Sequence, residues 1–102
     1  MRETGYTYTT ITARAGEPMT IGTAFYLDRT ANIQFYDGSD GRPFIAIDHG
    51  QVSVHIGPRP TTALTAEDVA VIRRFAQASA GLLAEVERLH AEQSKQPGHA
   101  AA

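Results

Sequence analysis

Between Gly5 and Ile56, apolar and polar residues alternate in short runs broken by Gly, Pro, Asn and Asp. Beyond Thr65 the apolar spacing changes to steps of three and four. The first pattern is that of antiparallel strands joined by tight turns, and the second that of an amphipathic helix. The chain therefore predicts an α+β fold: a five-stranded antiparallel meander sheet followed by one long C-terminal helix packed on one sheet face. The strands fall within residues 5–56 and the helix at 66–93. Residues 1–93 form a single domain in this reading, and 94–102 a disordered tail.

Turn chemistry sets the expected registers. Placing a two-residue loop at His49-Gly50 puts Ile47 opposite Val52 and Ile45 opposite Val54, so that these four share one face with Ile56. A loop at Ala15-Gly16 pairs Arg14 with Glu17 and puts Tyr6 and Tyr8 on the face of Met19, Ile21, Phe25 and Leu27. A short turn around Arg29-Thr30-Ala31, with Asn32 free to adopt a left-handed conformation, pairs Leu27 with Ile33 and Phe25 with Phe35. The turn from Gly38 to Arg42 pairs Phe35 with Ile45. Gly22, inside a strand, marks a bulge or a close backbone approach.

The same registers give the opposite sheet face an aromatic character. One row reads Thr7, Ala24, Tyr36, Phe44, His55, and the next includes Tyr26, Gln34, Ala46 and Ser53. A solvent-facing sheet surface usually carries more charge. Tyr26, Tyr36, Phe44 and His55 are thus either ordinary outward-facing strand residues or a patch that meets a partner or ligand.

The helix has a clear start and stop. Thr65 is suited to the N-cap, Asp68 occupies the capping-box position, and Glu67 and Asp68 complement the positive helix end. Leu64 is placed to staple against Val69. Ser94-Lys95-Gln96-Pro97-Gly98 ends the pattern. Ile72, Phe75, Ser79, Leu82, Val86 and Leu89 form a heptad stripe, widened by Val69, Ala76 and Leu83. About 27 residues at ~1.5 Å each make a rod of roughly 40 Å, whereas strands of this length reach only about 17–30 Å. Leu82, Val86 and Leu89 therefore need a partner unless the helix bends. Ala78-Ser79-Ala80-Gly81 is the place for a bend, a break or the close approach of another helix. Glu85, Arg88 and Glu92 pair on the solvated side.

Composition narrows the function classes. At 102 residues with net charge −2, the chain fits one domain and is not a strongly basic nucleic-acid binder. It has no cysteine, which removes disulfides, zinc thiolates and thiol nucleophiles. No segment resembles a signal peptide or a membrane span, so the expected address is the cytoplasm. Eight arginines against the single Lys95 suggest a GC-rich bacterial or phage genome.

Candidate chemistry is sparse. Asp48-His49 lies in a turn where adjacent side chains diverge, no nucleophile motif accompanies it, and His49 reads as a turn histidine. His55, opposite Phe44, is able to titrate or to hydrogen-bond a ligand. His90 and His99 are too scattered to make a metal site, and no cofactor is implied. Asp37-Gly38-Ser39-Asp40-Gly41 fails as a calcium loop, having Arg42 at the glycine position and no closing glutamate. No glycine motif cradles a phosphate.

The expectation is a homodimeric protein-interaction or regulatory module without catalysis, such as an accessory regulator or phage-type inhibitor. Its oligomer interface is Leu82, Val86 and Leu89. The alternative is a single-stranded nucleic-acid-binding protein that uses the aromatic outer face. In outline, a meander followed by a helix is similar to the small dimeric single-strand-binding transcriptional cofactors, whose sheets carry the strand. There Tyr26, Tyr36 and Phe44 would stack bases while Arg14, Arg29, Arg42 and Arg59 met phosphates. Against this, the face itself carries no Lys or Arg.

Overall fold

The structure is a computed structural model that describes residues 4–39 and 41–95. It is α+β, with antiparallel strands β1 (Tyr6–Thr12), β2 (Thr20–Tyr26), β3 (Asn32–Tyr36), β4 (Phe44–His49) and β5 (Val52–Ile56), followed by α1 (Ala66–Ser94). The chain divides into two compact units, Met1–Ile56 and Gly57–Ala102. Of the expected tail at 94–102, Ser94 is the last residue of α1 and Lys95 its C-cap, while residues 96–102 and Asp40 lie outside the described residues.

The strands form two sheets, not one five-stranded meander: a β1-β2 hairpin and a three-stranded β3-β4-β5 sheet. The expected Leu27–Ile33 and Phe25–Phe35 pairs do not occur. Asp28 supplies the reason. Its carboxylate accepts hydrogen bonds from Gly5 N (2.9 Å), Thr30 N (2.9 Å) and Thr30 Oγ1 (2.6 Å), and Ala31 N closes the turn onto Asp28 O. The chain thus leaves the β2 ladder after Tyr26 and turns on a side chain. Asn32 begins β3, and no residue other than glycine has a positive φ among the described residues.

In the β1-β2 hairpin the expected turn is present but the strand register is not. Glu17 N donates to Arg14 O, and Gly16 has φ 80°, as the third position of a type II turn requires. The ladder nevertheless pairs Thr12 with Thr20, Ile11 with Ile21 and Tyr6 with Tyr26. Pro18 has no N–H to donate and the ladder resumes only at Thr20, so the β2 side carries one extra residue between turn and strand. That single residue exchanges the faces. Tyr6 and Tyr8 share a side with Ala24 and Tyr26, while Thr7 lies opposite Phe25. Gly22 pairs with Thr10 within the ladder and a Cβ there would meet nothing within 4 Å, so it marks neither a bulge nor a close approach.

The β3-β4 register is the expected one, with Phe35 opposite Ile45 and Ile33 opposite Ile47. The β4-β5 hairpin is displaced by two residues, pairing His49 with Val52, Ile47 with Val54 and Ile45 with Ile56. Its loop is Gly50-Gln51. Gly50 has φ 62° and Gln51 does not have a positive φ, the arrangement of a II′ turn with glycine first. A shift of two preserves the faces. Ile33, Phe35, Ile45, Ile47, Val52, Val54 and Ile56 still share one side, but His49 joins them as the last residue of β4.

The second unit holds α1, which runs for 29 residues, roughly 43 Å, without a break at Ala78–Gly81. Thr65 Oγ1 accepts from Asp68 N, and Asp68 Oδ2 accepts from Thr65 N at 2.8 Å, completing the capping box. Arg59 adds a fork, its Nε and Nη2 donating to the two Asp68 oxygens at 2.8 and 3.0 Å. A Cβ at Gly81 would meet nothing within 4 Å.

Candidate interaction surfaces

Three side-chain groupings and one helix face stand out. The first is a column on β3-β4-β5. The even-numbered residues of β3 and β4, with Ser53 and His55 of β5, point away from the Ile45-Ile47 face, and the tight β3-β4 register sets Tyr36 beside Phe44. Their rings stack at 4.8 Å with 18° between planes, and the His55 imidazole lies 4.8 Å from Phe44 at 31°. His55 faces Ala46 directly and reaches Phe44 on the diagonal. Tyr36 donates its hydroxyl to Gln34 Oε1 at 2.7 Å, which fixes the ring. Ala46, the small residue between Gln34 and His55, is the one buried apolar residue among those described. Tyr36, Phe44 and His55 are thus brought together as their alternation predicts.

Tyr26 is not part of that column. It belongs to a second cluster on the β1-β2 hairpin, 5.0 Å from Tyr6 and 6.1 Å from Tyr8 between ring centroids. A hydrogen bond with Tyr8, and the other phenols close by, hold the Tyr26 hydroxyl above its ordinary pKa. The register change at Pro18 assembles this cluster. The Pro18 side chain chemistry was the available signal.

The third grouping is polar and joins the two sheets. His49 is 8% exposed, with Nδ1 3.1 Å from Thr7 Oγ1 on β1 and Nε2 3.3 Å from Asp28 Oδ1 in the β2-β3 turn. The side chain expected in a hairpin turn is therefore a buried strand residue with both nitrogens engaged. Asp28, hydrogen-bonded first by Thr30 and then by Gly5 and His49, is held well below the usual carboxylate range. A hydroxyl, an imidazole and a carboxylate in this order have the outline of a proton relay. Here each contact ties a different segment to β4. The sequence signal for this burial was Gly50, which fits a hairpin loop as its first residue and so leaves His49 in the strand.

The helix face is apolar and exposed. Leu82, Leu83, Val86 and Leu89 are 67, 59, 52 and 42% exposed on successive turns. Arg88 bonds Glu85 and Glu92 on the other side, as their spacing predicts. No group of three or more potential metal ligands occurs among the described residues. No helix among them is long and apolar enough to cross a membrane.

No family model, curated protein or solved structure matches this chain.

Proposed function

We propose that the chain is a small homodimeric interaction module, acting as an accessory regulator or phage-type inhibitor, that pairs through the distal half of α1. The single observation that carries this reading is the exposed run Leu82, Leu83, Val86 and Leu89 on one uninterrupted helix. Each such side chain gains about 1.5–3 kcal/mol when fully buried, and four on neighbouring turns make a surface that water penalises continuously. The Tyr36-Phe44-His55 column is the face left to a protein partner, because a flat aromatic surface with one imidazole suits the anchors of protein interfaces. Arginine-biased, cysteine-free composition fits a bacterial or phage source and a reducing cytoplasm. The reading gives His49 a structural role, since its two nitrogens are spent on Thr7 and Asp28.

The test is light scattering on the native chain and on a Leu82→Glu/Leu89→Glu variant. The native chain gives twice the single-chain mass. The variant gives the single-chain mass with its hairpins retained. A native chain that scatters as a monomer at micromolar concentration defeats the reading.

A second reading, single-stranded nucleic-acid binding, is favoured by the same column, because aromatic side chains gathered on a sheet face are the residue type that stacks bases. It is the weaker one, because β3, β4 and β5 contribute no Lys or Arg.

A further inference from the structure

We propose that the second copy docks on α1 parallel and in register, as a two-stranded coiled coil that continues the distal contact back to Ile72 and on to Gln93. This rests on the dimer reading above and adds orientation and strand number to it. The alternating steps of three and four fix the heptad phase: Ile72, Ser79 and Val86 at a, with Phe75, Leu82 and Leu89 at d. Two a positions are β-branched and two d positions are leucine, the distribution that favours parallel pairs over trimers and tetramers. Ser79 is the polar a residue, and its Oγ is already satisfied by Phe75 O at 2.9 Å. It can therefore sit at the seam opposite its own copy without an unpaired hydroxyl.

The flanking positions decide the orientation. The g residues are Val71, Ala78 and Glu85, and the e residues five further on are Ala76, Leu83 and His90. In a parallel pair each g meets the e of its partner five residues on. Val71 then meets Ala76, Ala78 meets Leu83, and Glu85 meets His90, so like character meets like along the whole seam. An antiparallel pair centred on the same stripe sets Glu85 against Ala78 and Glu92 against Val71, where each keeps Arg88 of its own helix but gains no polar partner across the seam. It also sets Ser79 against Leu82. Gly81 falls at c, on the outer side, consistent with the open space around it. Parallel pairing brings both Thr65 ends together, so the two copies of residues 1–56 attach at the same end of the coil.

The chain has no cysteine, so single thiols report orientation directly. Gln93→Cys and Val86→Cys introduce thiols at a positions, and Arg73→Cys at an outward b position serves as control. In a parallel coil the a residues face their own copies at the ~4.4–6.8 Å Cα spacing of a disulfide. In the antiparallel alternative the two Gln93 positions lie roughly 37 Å apart. In a glutathione redox buffer, both a variants are expected to form covalent dimers, while Arg73→Cys stays reduced. Light scattering on the reduced proteins is run beside it. A dimer mass without cross-linking at either a position overturns the parallel orientation and leaves the dimer standing. A trimer mass overturns the two-stranded assignment, and a single-chain mass overturns both readings together.

Discussion

His49 Nε2 lies 3.3 Å from Asp28 Oδ1, so a buried imidazole at the end of β4 is bound to the turn that ends the first hairpin. Through Nδ1 the same ring reaches Thr7 on β1. Replacing it removes both links and leaves two polar groups short of a partner. His49→Ala is therefore expected to lose roughly 1–3 kcal/mol of stability in urea titration. A neutral substitution would show that the two sheets do not depend on this contact.

Asp28 and Asp68 make the fold acid-sensitive. Thr30 lowers the first carboxyl, and the Thr65 N–H followed by the Arg59 guanidinium lowers the second. With the folded value below the unfolded one, each contributes stability that is complete above the unfolded value of ~3.9 and is lost as pH falls through the folded value. The melting temperature should be level from neutral to about pH 5 and fall below about pH 4. Asp28→Asn should flatten that acid limb. An unchanged limb would mean that other groups control it.

The glycines give a paired test. A Cβ at Gly5 would collide with the Tyr26 carbonyl oxygen, whereas one at Gly22 meets nothing within 4 Å. Gly5→Ala should destabilise the β1-β2 hairpin, and Gly22→Ala should be neutral or slightly stabilising. The reverse order in thermal melts would contradict the observed register.

On the helix, Thr65→Ala breaks the capping box and should cost about 1 kcal/mol. Gly81→Ala should gain up to about 1 kcal/mol, because the position is interior and unobstructed, and lies on the outer side of the proposed coil. Circular dichroism melts check both. A Gly81→Ala chain that lost its oligomeric state would place Gly81 at the interface instead.

The aromatic column should not hold nucleic acid. Fluorescence anisotropy with a labelled single-stranded oligonucleotide at low salt is expected to show no binding. Salt-dependent binding lost on Tyr36→Ala would reverse the order of the two functional readings.

Much of the local chemistry was legible from the residues, and the long-range pairing was less so. Thr65 and Asp68 declare the helix start because capping needs only neighbours in sequence. The face shared by Ile33, Phe35, Ile45 and Ile47 is equally local, since strand alternation has a period of two. Register depends on single residues instead. Pro18 delays the ladder by one position and turns Tyr6 and Tyr8 toward Tyr26. Gly50 serves the β4-β5 loop as its first residue and draws His49 inside. The separation into two sheets lies in the Asp28 carboxylate, whose partner Gly5 is distant in sequence, and no periodicity reports such a bond. In the candidate surfaces, Tyr36, Phe44 and His55 were found by alternation. The Thr7-His49-Asp28 link was not, for it needs three segments to meet.

Whether a second copy covers Leu82, Val86 and Leu89 is decided by sedimentation equilibrium of the unmodified chain across the micromolar range. A monomer–dimer equilibrium is expected, its mass approaching twice the 11.0 kDa chain mass as concentration rises. A molecular mass that stays at that of one chain throughout would contradict it.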